Sequence, residues 1–250
     1  MTDTITLETP DASFDAYVAR PAGEPIGGLV LIHEIWGLVD HIRDVADRYA
    51  AEGWLVAAPD ILTHGGVAPA LGEELFALLN SDDEEARTAA QPRMREALAG
   101  MRAPEYAAWA VGALRTTLDW LEAALGQAQG ASDRLAVTGF CFGGTYSFAL
   151  AVADDRIRAV APFYGTAPAP EDIAKIQAPI LAVYGRHDPA LIDALPAVTQ
   201  AMADAGVTFE PVVYPDAAHA FFNDTGRRYR ADDAADAWRR VTAFLREHAS

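Results

Sequence analysis

The sequence of 250 residues predicts an α/β fold with a mainly parallel central sheet and helices on both faces. Two observations lead to this prediction. Strand patterns alternate with helical patterns of about 10–15 residues, and most strand patterns are short, continuous apolar runs, which is typical of strands buried on both faces. Such an alternation implies right-handed crossovers between parallel strands. Because no internal repeat, low-complexity segment or linker interrupts it, we predict one domain over residues 1–250.

The N-terminal part of the chain begins with strand patterns. Residues 14–19 alternate apolar and polar side chains, as a half-buried strand does. Residues 28–33 (GLVLIH) and 54–58 are apolar runs, and the second run is stopped by Pro59. Between them, residues 41–52 place apolar side chains on one face of a predicted helix.

The remainder of the chain first departs from this alternation and then resumes it. Residues 69–127 hold helical patterns only. Strand patterns then return in four segments: residues 135–140, 157–163, 180–185 and 209–214. Three more helices are predicted: residues 143–153, 191–205 and 231–247. Ligand sites in such sheets lie at the carboxyl ends of the strands, so polar motifs at these ends are the candidates for function.

Composition excludes several classes of function. The net charge of −17 repels nucleic-acid phosphates and anionic lipid surfaces, so we expect neither nucleic acid nor membrane as a partner. No apolar run of about 18 residues is present, and the first residues lack the basic and apolar regions of a secretory signal, so we expect a cytoplasmic protein. The single cysteine, Cys141, cannot form an internal disulfide and is either an inert core residue or a reactive thiol.

The surroundings of this cysteine favour reactivity. Gly139 to Gly144 (GFCFGG) directly follows a predicted buried strand and opens a predicted helix. This is the G-x-nucleophile-x-G elbow of α/β-hydrolases with cysteine in place of serine. The N-terminus of the following helix would lower the pKa of the thiol. We therefore predict that Cys141 is a nucleophile, the alternative being a buried, inert cysteine at a tight turn.

A nucleophile of this kind needs a histidine as base and an acid that orients it, and in this fold the chain order is nucleophile, acid, histidine. Asp188 follows the strand at 180–185, and His219 follows the strand at 209–214. We predict that these two residues complete a Cys-His-Asp triad. Asp216 is an alternative acid, although it lies only three residues before the histidine. The other histidines are less suitable because only His219 follows the last strand: His33, His41, His64, His187 and His248.

A second motif, HEIWG from His33 to Gly37, ends the strand at 28–33. It resembles the zinc motif H-E-x-x-H, but Gly37 occupies the place of the second histidine, so we predict no metal site. The loop after this strand supplies one oxyanion-hole N–H in this fold. We assign that N–H to Ile35 and the other to Phe142, which follows the nucleophile. Glu34 is a carboxylate near the nucleophile, with a solvated or salt-bridged surface residue as the alternative interpretation.

Together these motifs resemble the dienelactone hydrolase family. The resemblance covers nearly the whole chain and is carried by LVLIHEIWGL, AAEGWLVAAPD, VTGFCFGG, APFYG, VYGRHDP and the segment from His219 to Arg240. It implies that Cys141 is the nucleophile, Asp188 the acid and His219 the base. It also implies that Glu34 hydrogen-bonds the resting thiol and moves when substrate binds, which would protect the sulfur from oxidation.

The chain departs from the family at two positions. The family's prototype binds a substrate carboxylate with two arginines, and the matching positions here are Asn223 and His64. Neither offers the bidentate fork that suits a carboxylate. Other arginines follow nearby in the sequence: Arg227, Arg228 and Arg230. We therefore expect only a weak preference for substrates that carry a carboxylate.

These residues predict an enzyme that hydrolyses carboxylic ester or lactone bonds through a thioester acyl-enzyme, without a metal or organic cofactor. We expect a small-molecule substrate and a monomer or small homo-oligomer. Trp36 and Tyr164 lie at predicted strand ends and, with His64 and Asn223, are candidates for the substrate pocket. Two other functions remain open at this point: a thioesterase or acyltransferase that uses an acceptor other than water, and a non-catalytic descendant that binds a small molecule.

Overall fold

The computed structural model describes residues 2–126 and 131–250. The strands along the chain are β1 (Thr2–Glu8), β2 (Ser13–Ala19), β3 (Gly27–Ile32), β4 (Trp54–Pro59), β5 (Leu135–Phe140), β6 (Ile157–Phe163), β7 (Ile180–Gly185) and β8 (Phe209–Tyr214). The helices are α1 (Asp40–Ala51), α2 (Pro69–Leu79), α3 (Glu84–Ala97), α4 (Pro104–Ala124), α5 (Phe142–Ala153), α6 (Pro170–Ile173), α7 (Pro189–Asp204) and α8 (Ala231–Ala249).

The eight strands form one sheet in the order β1-β2-β4-β3-β5-β6-β7-β8. Strands β3 to β8 pair in parallel, whereas β1 and β2 are antiparallel to their neighbours. The α/β-hydrolase fold with a mainly parallel sheet, as predicted, is therefore confirmed. Because β3 to β8 run in the same direction, the loops after them meet at one edge of the sheet.

Both faces of the sheet are covered by helices. Leu29 and Leu31 of β3 face the core formed with α1 and α8. The alternate residues Val30 and Ile32 face a second core, formed with α4, α5 and α7. Since successive side chains of a strand point to opposite faces, strands that contact both cores are mostly apolar along their whole length. All residues of β3, β4, β5 and β7 are buried accordingly.

Three helices occupy the segment for which only helical patterns were predicted. These are α2, α3 and α4, and the predicted segment ends at position 127, which lies outside the described residues. The helices α4 and α8 have 21 and 19 residues. Within residues 2–126 and 131–250, no helix is both long and apolar enough to cross a membrane.

Candidate active site

Cys141 occupies a sharp turn between β5 and α5. Its backbone has φ 57° and ψ −111°, a conformation that residues other than glycine rarely adopt. The Cys141 N–H donates to the carbonyl of Phe163 at 3.0 Å, which ties the turn to the end of β6. Two further non-glycine residues with positive φ among the described residues are Tyr164 and Ala220, which follow β6 and His219. Strained backbone of this kind is typical of functional sites.

The glycines of the elbow are required because backbone lies against them. A Cβ on Gly143 would overlap the carbonyl oxygen of Ile32 and lie 2.6 Å from that of His33. A Cβ on Gly139 would overlap the carbonyl oxygen of Gly143. Backbone carbonyls cannot move aside as a flexible side chain can, so the close approach of β3, β5 and α5 depends on these glycines.

The histidine and the aspartate predicted from the chain order meet at this edge of the sheet. His219 Nδ1 lies 2.5 Å from Asp188 Oδ2, a short hydrogen bond between partly buried side chains. Asp188 precedes α7 directly and follows β7 by three residues. Asp216, the alternative acid, is exposed and lies 3.8 Å from Arg230 Nη2 instead. The contact with His219 thus belongs to Asp188.

A cavity of about 560 Å³ opens at the nucleophile elbow. Cys141 and His219 both line it. Glu34, Ile35, Trp36 and Asn223, four more residues predicted for the site, also line this cavity. The volume is within the range of small-molecule sites.

Glu34 is a buried carboxylate and not the solvated surface residue of the alternative interpretation, since only 2% of its surface is exposed. Its Oε2 accepts a hydrogen bond of 2.7 Å from Asn223 Nδ2, while Oε1 is buried with no hydrogen-bond partner. The hydrogen bond from the resting thiol to Glu34, which the family resemblance implies, is therefore not formed here. Burial raises the pKa of Glu34 to about 7, although the hydrogen bond from Asn223 opposes this change.

The pKa of Cys141 differs from the prediction. Burial, followed by the charge of Glu34, raises the pKa of the thiol to about 12. The Phe142 N–H at the start of α5 lowers the pKa, as expected of a helix N-terminus, but its effect is smaller. The predicted lowering of the thiol pKa is thus wrong for this state of the site. At neutral pH the sulfur is a protonated thiol.

The raised pKa of Glu34 predicts a dependence of stability on pH. Between its ordinary pKa of 4.5 and about 7, the folded state retains a proton that the unfolded chain has lost. Stability is therefore lost as the pH rises through this window, by roughly 3 kcal/mol at 1.4 kcal/mol per pKa unit. We expect Glu34→Gln to remove this loss. The difference between its free energy of unfolding and that of the wild type, both measured by urea titration, should therefore be larger at pH 8 than at pH 4.5, in favour of the variant. The exposed Glu73→Gln is the control, and an equal pH dependence in Glu34→Gln and the wild type would contradict the prediction.

Two residues predicted for the substrate pocket, His64 and Tyr164, are not among those that line the cavity at Cys141. His64 is exposed in a 3-10 turn, and its ring stacks on Trp109 with centroids 3.8 Å apart. It lines a separate cavity of about 330 Å³ and not the one at Cys141. The His64 ring packs on Trp109 of α4, which a match of sequence positions does not reveal.

The rings of Tyr164 and Phe142 pack against other residues near the site. The ring of Tyr164 packs against that of His219, with centroids 4.9 Å apart, and its hydroxyl is buried without a hydrogen-bond partner. Phe142 packs its ring between those of His33 and Tyr146. Neither ring is among the residues that line the cavity.

The basic residues after His219 have different environments. Arg227 Nη1 donates to Ser81 O at 2.6 Å and contacts Asp82 Oδ1 at 2.7 Å, so its charge is already paired. Arg230 pairs with Asp233 and does not line the cavity. Arg228 lines the cavity, and no acceptor or acidic partner is found for it within residues 2–126 and 131–250.

Sequence reasoning missed the cover of the cavity. Side chains of α2 and α3 and the residue that follows α3 line it: Phe76, Leu79, Arg87, Gln91, Met94 and Leu98. The turn between these two helices is held by Arg227 and by Arg87, both of which donate to Ser81 O. Helical periodicity predicts that these helices form, but it contains no signal for where they pack.

The fold and the nucleophile elbow define an α/β-hydrolase. The family's model matches residues 14–249, and the chain belongs to the dienelactone hydrolase family. It is 31% identical over 254 residues to the protein of Saccharolobus solfataricus named "Putative carboxymethylenebutenolidase", an alignment that covers 97% of each chain. A protein of the same name from Escherichia coli K12 is 30% identical, with 93% of this chain and 82% of that protein covered.

Solved structures show the same architecture. A crystal structure titled as a "Putative Dienelactone Hydrolase" from Klebsiella pneumoniae has a TM-score of 0.82 and 26% identity, with 99% of both chains covered. The dienelactone hydrolase of Anabaena variabilis has a TM-score of 0.67 with 100% of this chain and 99% of that chain covered. Its identity of 15% bears on the fold alone.

Proposed function

We propose that this protein hydrolyses carboxylic ester or lactone bonds through a Cys-His-Asp triad and a thioester acyl-enzyme. One observation carries the proposal: the cysteine of the elbow and the histidine bound to Asp188 line the same cavity. The proposal treats residues 1–250 as one α/β-hydrolase domain, which the single sheet and the family match over residues 14–249 support.

The first half of the reaction acylates the sulfur. His219 Nε2 takes the proton of the Cys141 thiol, and Sγ attacks the carbonyl carbon of the ester. The N–H groups of Ile35 and Phe142 stabilise the resulting oxyanion, and each such donor is typically worth a few kcal/mol in the barrier. When the tetrahedral intermediate collapses, the carbon–oxygen bond breaks and His219 donates its proton to the alkoxide. The acyl group is then held as a thioester.

The second half releases the acid. His219 removes a proton from a water molecule, whose oxygen attacks the thioester carbonyl on the same oxyanion-binding N–H groups. The carbon–sulfur bond breaks, and the proton on His219 returns to the sulfur. Asp188 holds His219 Nδ1 throughout, so that Nε2 remains available to accept and donate the proton. No metal or organic cofactor takes part in this sequence.

Glu34 delays the formation of the thiolate until substrate is bound. In the empty site the burial of the thiol, followed by the charge of Glu34, raises the pKa of Cys141, so the sulfur remains protonated and resistant to oxidation. A substrate carbonyl that enters the site gives the sulfur an electrophile as His219 withdraws the proton. The Asn223 hydrogen bond holds Glu34 close enough for this electrostatic effect.

The cavity wall supports a substrate with a substantial apolar part. Trp36 and Phe76 pack edge to face with centroids 5.3 Å apart, and Met94 and Leu98 extend this apolar wall. The names of the relatives refer to a butenolide lactone and support a lactone among the substrates. Asn223 is already engaged, because Nδ2 donates to Glu34 and Oδ1 accepts from Thr225. Asn223 therefore does not take the place of the arginine in the family's prototype, and the weak preference expected for carboxylate-bearing substrates depends on Arg228, which lines the cavity without an acidic partner in the described part of the chain.

Trapping the acyl-enzyme tests this proposal. We expect acid quenching during turnover of p-nitrophenyl acetate to yield a protein that carries one acetyl group on Cys141, detected by intact-mass and peptide mass spectrometry. Alkylation with iodoacetamide should abolish turnover, and it reports on one position because the chain has a single cysteine. Cys141→Ala should show neither the adduct nor turnover. Undiminished turnover in Cys141→Ala would overturn the proposed mechanism.

A further inference from the structure

His33 follows β3 directly and is completely buried. Its Nδ1 lies 2.8 Å from the carbonyl oxygen of Glu34, and its Nε2 lies 3.2 Å from the backbone nitrogen of Ile61. A carbonyl can only accept and an N–H can only donate, so Nδ1 carries the proton and Nε2 is the acceptor. Burial lowers the pKa of His33, which favours this neutral form. The imidazole therefore has one defined tautomer and no part in the proton transfers proposed above.

The carbonyl that His33 binds belongs to the same peptide unit as the N–H of Ile35. This carbonyl is held twice, since the Gly37 N–H also donates to it at 3.1 Å. No cis peptide bond occurs among the described residues, and in a trans peptide the C=O and N–H bonds point in opposite directions. Two donors on the Glu34 carbonyl thus fix the direction of the Ile35 N–H, which points the opposite way within the same peptide plane.

The Ile35 N–H is left available for a ligand by this arrangement. Ile35 lines the catalytic cavity, and no acceptor in the described part of the chain takes its N–H. Rotation of the Glu34–Ile35 peptide plane would break the hydrogen bond from His33. The buried imidazole therefore resists a movement that would turn this donor away from its direction in the structure.

His33 also packs against the side chain of Phe142, the residue that holds the second N–H donor proposed for the oxyanion. Its ring lies parallel to that of Phe142, with an interplanar angle of 1° and centroids 5.9 Å apart. Its backbone carbonyl lies against Gly143 at the start of α5. One side chain thus joins the loop after β3, the loop after β4 and the nucleophile elbow.

We propose that His33 is a positioning residue that orients the Ile35 N–H as an oxyanion donor through its hydrogen bond to the Glu34 carbonyl. This inference rests on the proposed hydrolase function. Substitution of His33 should lower the hydrolytic activity because the transition state, in which the oxyanion forms, is less well stabilised. The reactivity of the sulfur should not change.

Two variants separate the hydrogen bonds of the imidazole. In His33→Asn, the amide nitrogen can occupy the position of Nδ1 and donate to the Glu34 carbonyl. In His33→Gln, the amide oxygen can occupy the position of Nε2 and accept from Ile61, while the donor to Glu34 is lost. We expect His33→Gln to lower kcat for p-nitrophenyl acetate about 100-fold with little change in KM, the loss typical of one oxyanion donor. His33→Asn should retain at least about tenfold more activity than His33→Gln.

The rate at which iodoacetamide alkylates Cys141 separates the positioning role from a purely structural one. Disruption of the site would change this rate, whereas loss of the Ile35 N–H orientation alone would not. This reaction needs the sulfur but develops no oxyanion, so its rate should be the same in both variants and in the wild type. A fall in alkylation rate parallel to the fall in kcat would overturn the inference, as would equal kcat values for His33→Gln and His33→Asn. Thermal unfolding of each variant accompanies the kinetics. If only His33→Gln folds, a kcat equal to that of the wild type would overturn the inference. If only His33→Asn folds, a loss of kcat of about 100-fold would overturn it.

The same assay distinguishes failure of this inference from failure of the proposed function. Turnover by Cys141→Ala at the wild-type rate would reject the proposed function whatever the His33 variants do. An inactive Cys141→Ala together with a fully active His33→Gln would reject the positioning role alone.

Discussion

Replacement of Asp188 by asparagine is expected to lower kcat for a small aryl ester by about 10⁴-fold, the loss seen when a triad histidine is held in the wrong tautomer. Asp188 Oδ2 accepts the hydrogen of His219 Nδ1 at 2.5 Å, which leaves Nε2 free to act as base. An asparagine amide can instead donate to Nδ1, which moves the imidazole hydrogen to Nε2. In that tautomer His219 cannot accept the thiol proton. Steady-state kinetics at several pH values measure the loss.

Asp216→Asn is the matched control for this substitution. Asp216 is the other acid near His219 in sequence, but its side chain is exposed and lies near Arg230. Its substitution should leave kcat unchanged. Equal losses in the two variants would indicate an electrostatic effect of general negative charge, and a loss below tenfold in Asp188→Asn would contradict the orienting role.

Strands β5 to β8 begin and end at the residues that the sequence predicts. Each is a short, mostly apolar segment, a pattern that burial on both faces produces in β5, β6 and β7, whereas β8 is only partly buried at the edge of the sheet. Strand β1, by contrast, is not predicted. Its residues are exposed or only partly buried, because it lies at the edge of the sheet and covers little of the core. A strand without a buried face has no apolar alternation strong enough to reveal it.

In the candidate site, the positions of the residues can be predicted from the sequence, but their environment cannot. Cys141, Asp188 and His219 are predictable because each follows a parallel strand, and the carboxyl ends of parallel strands share one edge. The environment of these groups is not predictable in this way. A helix N-terminus favours a thiolate, but burial and the charge of Glu34 outweigh it, and both depend on the packed structure. The hydrogen bond between Glu34 and Asn223 likewise joins residues that are distant in sequence.

Gly143→Ala should lower the free energy of unfolding by about 3–5 kcal/mol, which is in the range of the most damaging single substitutions. Its new methyl group would overlap the carbonyl of Ile32, at the point where α5 meets the end of β3. Neither partner can yield locally, because β3 is a buried central strand and α5 is packed on the sheet. Relief requires α5 to move away from β3, which would also displace Cys141 from the loop that contains Ile35. Urea unfolding followed by circular dichroism measures the change.

Gly112→Ala separates this steric effect from the general cost of a glycine substitution. Gly112 lies within α4, and nothing lies within 4 Å of a Cβ built on it. Alanine is favoured over glycine inside a helix by about 0.5–1 kcal/mol, so this variant should be slightly more stable than the wild type. If both variants unfolded at the same urea concentration, the close approach of β3 and α5 could not be what requires glycine at position 143. The elbow would then tolerate a wider separation between the nucleophile and the loop after β3 than the structure indicates.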